Sequence, residues 1–130
     1  MTIAEYLEEV KERLLTDPRV LGLHIVRERV TTTDCHLRAR LVLLDGSQLE
    51  FSEYVQRQSD GSVGVVTYSY NWTSASQELI RRWDNTPYYP QLAGSPHHIH
   101  DGATNRVSPG QTVTVLEVLG IIAREAPATS

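Results

Sequence analysis

The chain has 130 residues and a formal net charge of −4, from 12 Lys and Arg against 16 Asp and Glu. This length suits one domain with its own core and leaves no room for a second. The negative balance argues against a protein that coats nucleic acid by charge alone. Because Cys35 is the only cysteine, an internal disulfide and a thiolate zinc cluster are both excluded within one chain.

Hydropathy along the chain gives no reason to expect a membrane partner. No apolar run approaches the roughly 20 residues of a membrane helix. The first residues lack the basic and then apolar layout of a signal peptide. We therefore expect a cytoplasmic protein.

The first predicted element is an amphipathic helix over residues 2–15, which Asp17 and Pro18 end. Its apolar positions recur at helical spacing, with glutamates between them. From Val20 onwards the apolar period changes from helical spacing to two, which is typical of strands with one buried face. Turn signals such as Asp45-Gly46 divide this region into five predicted strands, at about residues 20–26, 37–43, 48–57, 63–72 and 79–83.

Residues 84–110 show no sustained period and contain four of the six prolines. A loop of this length in a compact domain is usually functional or disordered. After it, Thr114 and Glu117 have the spacing of a capping box, which predicts a second helix over residues 115–124, and residues 126–130 are expected to fray. The prediction is one α+β domain over residues 1–125, with a mainly antiparallel meander of about five strands and both helices on one face.

The segment Pro96-His-His-Ile-His-Asp101 is the sharpest chemical signal. If the segment is extended, His98 and His100 lie on one side and His97 on the other, so two imidazoles can converge on a substrate or a metal ion. The ligand pool for a metal would be His97, His98, His100 and Asp101. Because no helical His-x-x-x-His is present, we expect no metal and no other cofactor. The alternative is that these rings fill and hydrogen-bond the loop.

Asp84 and Arg82 precede that loop and admit two interpretations. In the first, Asp84 makes a side-chain turn that starts the loop, and Pro87 prevents the strand from continuing. In the second, Asp84 orients a histidine or moves a proton, and Arg82, on the same strand face, binds a phosphate. Both can hold together.

Tyr68, Tyr70 and Trp72 lie on one face of a predicted strand. Such a face is typical of platforms on which the bases of single-stranded nucleic acid stack. Alternatively, a helix or the long loop covers the face, and we favour this second interpretation. A separate set of arginines alternates with apolar residues on two neighbouring strands, which predicts either a basic stripe or a mixed-charge sheet face. This set comprises Arg27, Arg29, Arg38 and Arg40.

The order of these parts resembles the TumE-like toxin family of prokaryotic toxin–antitoxin modules. The resemblance covers roughly residues 66–122. It comprises an aromatic strand ending in Tyr68-Ser-Tyr-Asn-Trp72, the run Arg82-Trp-Asp-Asn-x-Pro87, a Pro-rich loop, Pro96-His-His-x-His100, and a C-terminal helix. The chain departs from the family at Tyr88-Tyr89-Pro90, where the family is expected to carry two histidines before the proline. The resemblance implies a toxin-like component with a small cognate antitoxin, and does not fix an activity.

Two functions follow as hypotheses. The first is a metal-independent ribonuclease toxin in which His98 and His100 move protons, Asp84 tunes them, and Arg82 binds phosphate. Four further residues are candidates for substrate contacts, namely His97, Tyr68, Tyr70 and Trp72. The second hypothesis is a non-catalytic module whose aromatic face and loop bind an antitoxin or a target protein. Because the first and last predicted strands lack protective prolines and lysines, we also expect a homodimer or an antitoxin to cover one sheet edge.

Overall fold

Seven strands form one antiparallel sheet, and their order across the sheet is their order along the chain. The computed structural model describes residues 1–125, so the predicted frayed tail lies outside the described residues. The elements are α1 (Ile3–Thr16), β1 (Val20–Val30), β2 (Asp34–Leu43), β3 (Gln48–Arg57), β4 (Val63–Thr73), β5 (Leu79–Asp84), β6 (His98–Asp101), β7 (Val107–Pro109) and α2 (Val115–Glu125). The predicted α+β class and meander topology are confirmed.

Both helices begin at a capping box. The Thr2 hydroxyl accepts from the backbone N–H of Glu5, and the Glu5 carboxylate accepts from the backbone N–H of Thr2. Thr114 and Glu117 repeat this arrangement at the start of α2. Neither helix in residues 1–125 is long and apolar enough to cross a membrane.

The helices cover the same face of the sheet, as the sequence predicted. Each buries one apolar stripe, and both stripes join a core that also contains the apolar face of β2, β3, β4 and β5. The helical residues buried in this core are Leu7, Val10 and Leu14 of α1 and Val115, Val118, Leu119 and Ile122 of α2. Ile3 of α1 is also buried, in a second cluster with Cys35 and Val55. We call this side of the sheet the helix-covered face and the other side the helix-free face.

The predicted long loop over residues 84–110 contains two additional short strands, β6 and β7. Ile99 alternates with His98 and His100, which is a period of two, but four residues between proline-rich segments are too short to reveal a strand by pattern. Pairing with β6 gives β5 a second hydrogen-bonded neighbour. The prediction that Leu79–Trp83 forms a sheet edge is therefore wrong, and the outer strands are β1 and β7.

Candidate functional site

The pairing of β5 with β6 brings four polar side chains together on the helix-free face. Asp84 lies directly opposite His98, and Arg82 lies directly opposite His100. Because side chains alternate along a strand and paired residues share a face, all four project to the same side. The predicted convergence of the two histidines with Asp84 is therefore present, and it depends on β6 being a strand.

Distances within the cluster centre on the Asp84 carboxylate. Its Oδ1 lies 2.8 Å from Nε2 of His98, and its Oδ2 lies 3.6 Å from Nε2 of His100 and 2.9 Å from Nε of Arg82. Neither the His98 nor the Arg82 N–H direction is well aligned with its oxygen, so these two contacts are close ionic approaches rather than good hydrogen bonds. The two imidazole rings are 4.8 Å apart between centroids.

Asp84 also has the turn role that the sequence offered as an alternative. Its Oδ1 accepts hydrogen bonds from the backbone N–H and the hydroxyl of Thr86, at 3.0 and 2.8 Å. Its side chain is only 1% exposed. The turn role of Asp84 is therefore present, and the same buried carboxylate also contacts the two histidines.

Both ring nitrogens of His98 face oxygen atoms that can accept a hydrogen bond. Its Nδ1 lies 2.9 Å from the carbonyl oxygen of Pro96, which can only accept, so Nδ1 carries a proton. Its Nε2 faces the Asp84 carboxylate, a second acceptor. His98 is therefore held between two acceptor oxygens, through a hydrogen bond at Nδ1 and a close approach at Nε2.

His100 is more exposed to solvent than His98. Burial lowers the pKa of His100; Asp84 opposes this effect, whereas the nearby positive charges of His98 and Arg82 lower the pKa further. The ring is 27% exposed, and the Arg82 side chain beside it is 41% exposed. A neutral imidazole and a guanidinium therefore face solvent together, above an almost fully buried aspartate and histidine.

Tyr89 was not among the sequence-predicted site residues, yet it covers the cluster. Its ring packs edge-on against His98 and His100, with centroid distances of 4.8 and 5.8 Å. The available signal was its position immediately before Pro90, where the family is expected to carry histidine. Tyr88 does not share this role, because it is 77% exposed.

His97 lies on the other side of the sheet from His98, so it does not join the cluster. Its Nδ1 is 2.7 Å from the hydroxyl of Tyr68, and its Nε2 is 3.0 Å from the hydroxyl of Thr112. Its ring also stacks on Tyr68. Both nitrogens are engaged in packing contacts, so any contact of His97 with a substrate would require these bonds to break.

The aromatic face is covered rather than open. Tyr68, Tyr70 and Trp72 are 5%, 0% and 5% exposed, because they pack in the core beneath the helices. The Tyr70 hydroxyl donates to Oε2 of Glu53 at 2.6 Å, and the Trp72 indole donates to Ser47 at 3.0 Å. Burial also raises the pKa of Tyr68 to about 12. These three rings offer no stacking platform in this structure.

Asp84, His98 and His100 could also supply metal ligands. Their donor atoms lie within 4.8 Å of one another, and they form the one such group of three in residues 1–125. Asp101, of the predicted ligand pool, instead accepts from the backbone N–H of Ala103. Arg82 already places a positive charge against the same carboxylate, and this charge opposes the binding of a second cation.

Comparison with known proteins identifies the family. A family model described as Toxin TumE matches residues 7–126, which is nearly the whole chain. The chain belongs to the TumE toxin family. Membership confirms the resemblance read from the aromatic and histidine motifs, and it gives the chain a toxin-like role in a toxin–antitoxin setting, with an antitoxin as partner. No curated protein and no solved structure matches the chain.

Proposed function

We propose that this TumE-family toxin acts in the cytoplasm as a metal-independent ribonuclease, with the cluster of Arg82, Asp84, His98 and His100 as its reacting centre. The observation that carries the proposal is the contrast between two neighbouring imidazoles. One is held between two acceptors, and the other has a lowered pKa beside a guanidinium. Pairs of groups whose environments separate their protonation states are typical of acid/base sites.

The chemistry requires one base and one acid. The 2′-hydroxyl of RNA loses its proton to neutral His100 and attacks the adjacent phosphorus. The bond from phosphorus to the 5′ oxygen then breaks, and the leaving oxygen takes a proton from the imidazolium of His98. The products are a 2′,3′-cyclic phosphate and a 5′-hydroxyl. Arg82 binds the phosphate and stabilises the charge that develops on it.

Access to His98 requires a movement of Tyr89, because the His98 side chain is only 1% exposed. The segment of residues 85–97 that carries Tyr89 links β5 to β6 and contains little regular structure. Such connecting segments often move when a substrate binds. Displacement of the Tyr89 ring by a ribose or a base would open both histidines to the same phosphate.

The direct test uses purified protein and a single-stranded RNA oligonucleotide in the presence of EDTA. We expect cleavage that leaves 2′,3′-cyclic phosphate ends, and we expect His100→Ala to lower the rate by about a hundredfold or more. Cleavage that EDTA abolishes and a divalent metal restores would replace this mechanism with a metal-assisted one at the same cluster. Absence of cleavage by a protein that arrests growth would reject the nuclease.

A second candidate function is a non-catalytic module that binds its antitoxin or a target protein. The observation that favours it is the unpaired outer edge of β1, an 11-residue strand whose Leu21 is 65% exposed and whose Val26 is 43% exposed. Long apolar edges tend to be covered by another strand. A homodimer or the antitoxin would add that strand. Light scattering of the toxin alone and with its antitoxin distinguishes these two partners, and a monomer that binds neither would reject both.

A further inference from the structure

The helix-free face extends away from the reacting centre as a continuous band of polar side chains, and we propose that this band binds the phosphate backbone of the RNA. This inference rests on the proposed ribonuclease function, since it assigns a binding surface to that substrate. We define the polar band by two rows of paired residues. The rows are Arg27, Arg38, Ser52, Ser69, Asp84 and His98, and His24, Arg40, Glu50, Asn71, Arg82 and His100.

Strand register makes the polar band continuous. Each row crosses the sheet from β1 to β6 through directly paired residues, so every member of a row lies on the same face. A register shift between Ile25 and Arg27 brings Arg27 opposite Arg38 and Arg29 opposite His36. Without that bulge, Arg27 and Arg29 would point to the helix-covered face. The fold thus places Arg27, Arg38 and Arg40 in line with the cluster, and Arg29 lies beside them on the same face.

The shape of the polar band suits an extended chain. Apart from Glu50, which pairs with Arg38 and Arg40, its middle strands β3 and β4 carry short polar side chains. Asn71 donates to Ser69, and His36 bonds Ser52. Longer arginines stand on β1 and β2 on one side, and Arg82 stands on β5 on the other. From β2 to β5 there are three strand spacings, or about 14 Å. The result is a shallow polar floor between arginines, wide enough for a few nucleotides.

Charge on this face is opposite in sign to that of the whole protein. The polar band contains four arginines and two carboxylates, Glu50 and the buried Asp84, whereas the whole chain carries −4. The side chains of Arg38 and Arg40 are 53% and 45% exposed, and both approach the Glu50 carboxylate, at 3.0 and 3.8 Å. One glutamate therefore positions two guanidiniums and neutralises only one charge. The remaining positive charge is available to phosphates.

The composition of the polar band favours nucleic acid over a protein partner. None of its twelve residues is a large apolar side chain, whereas the buried centre of a protein interface is enriched in aromatic and other apolar groups. Arginines beside small hydroxyl and amide groups are the usual partners of phosphate and sugar oxygens. An RNA strand lying on the polar band would also lead directly to His100 and Arg82.

The test measures binding of a fluorescent single-stranded 12-nucleotide RNA to His100→Ala protein, which should not cleave it, by anisotropy at several salt concentrations. We expect R27Q/R29Q, which removes one arginine of the polar band and its neighbour on the same face of β1, and R38Q/R40Q, which removes two arginines of the band, each to weaken binding by about tenfold or more. Each double variant should also reduce the slope of log affinity against log salt by up to about 1.4, from roughly 0.7 per lost phosphate contact. The matched control R13Q/R57Q removes the same charge outside the polar band and should bind as the parent does.

Several outcomes overturn the inference. These are equal weakening by R13Q/R57Q, no salt-dependent binding of RNA, or loss of antitoxin binding with RNA binding intact. Melting curves of each variant exclude unfolding as the cause. The result is separable from the proposed function. Binding that depends on these arginines, without cleavage by the wild type, would retain the polar band and reject the nuclease. Cleavage with unchanged kcat/KM in both double-arginine variants would retain the nuclease and reject the polar band as its RNA-binding surface.

Discussion

The two faces of the sheet are built from alternate residues of the same strands, yet they differ in chemistry. On β4, Tyr70 and Trp72 are buried under the helices, while Ser69 and Asn71 alternate with them along the strand and lie on the helix-free face. Two consecutive histidines at the beginning of β6 lie on opposite sides of the sheet. His97 hydrogen-bonds Tyr68 on the helix-covered side, and His98 contacts Asp84 on the helix-free side. Position on a face, rather than residue type, therefore separates a packing histidine from a candidate catalytic one.

The buried carboxylates on the two faces also have different surroundings. Glu53 on the helix-covered face accepts from the Tyr70 hydroxyl and from the backbone N–H of Val115, and burial raises its pKa. Asp84 on the helix-free face is surrounded by two histidines and an arginine. The first carboxylate therefore joins the sheet to the start of α2. The second gathers positive and titratable groups at a solvent-facing site.

The largest expected effect tests the structural role of the helix-covered face. Tyr70→Ala should lower the free energy of unfolding by about 3–5 kcal/mol, because Tyr70 is fully buried and stacks on Tyr68. Urea denaturation measures this loss. Tyr70→Phe, which removes only the hydroxyl, is the control and should lose much less. If the Ala variant loses under 1 kcal/mol, the aromatic face is not the core described above.

His98→Ala is expected to reduce both stability and activity. His98 lies in β6, not in an open loop, and it is almost fully buried. Its removal leaves the Asp84 charge without its closest partner, which should cost about 3 kcal/mol. Thermal melting beside an RNA cleavage assay measures the two losses. Unchanged melting would contradict the close pairing of His98 with Asp84.

The pH dependence of cleavage tests the protonation state of His100. Because the pKa of His100 lies below its usual value of 6.5, neutral His100 should persist to below pH 6.5. The acid limb of kcat/KM should therefore have its inflection below pH 6.5, with about a tenfold fall per pH unit beneath it. Arg82→Gln removes one charge that lowers the pKa and should move the inflection upwards. An inflection above 6.5 in the wild type would exclude His100 as this base.

The smallest expected effect concerns Glu53. Because its folded pKa is raised above 4.5, its contribution to stability is complete below pH 4.5 and is lost as pH rises through the folded value. Glu53→Gln should therefore stabilise the protein relative to wild type at pH 8, by the order of 1 kcal/mol, and have little effect at pH 4.5. Melting curves at both pH values test this. The same gain in stability at both pH values would show that ionisation of Glu53 does not cause it.

Much of the fold could be predicted from alternation and turns, because each long strand has one apolar face. β1 to β5 and both helices follow such patterns, and Gly46 and Gly61 have the positive φ of 87° that their turns require. β6 and β7 could not be found in this way. They span four and three residues, and what makes β6 a strand is the edge of β5, a partner that the local sequence does not contain.

The candidate site was predictable in its residues but not in its burial. The spacing of His98 and His100, and of Arg82 and Asp84, determined which side chains share a face. Which face the helices would cover depends on tertiary packing, so Tyr68 and its aromatic neighbours remained candidates for stacking until both helices were placed. Tyr89 was missed because its contact with the histidines depends on the path of an irregular segment.

The most direct test of the difference between the two faces compares His97→Ala with His100→Ala. Both proteins are assayed for RNA cleavage, for growth arrest on expression, and for melting temperature. We expect His100→Ala to lose about a hundredfold or more of the activity with a stability change within about 0.5 kcal/mol. We expect His97→Ala to lose stability through Tyr68 and Thr112 and to retain its turnover when folded. Equal loss of melting temperature and activity in both variants, with no effect specific to turnover, would contradict a catalytic helix-free face.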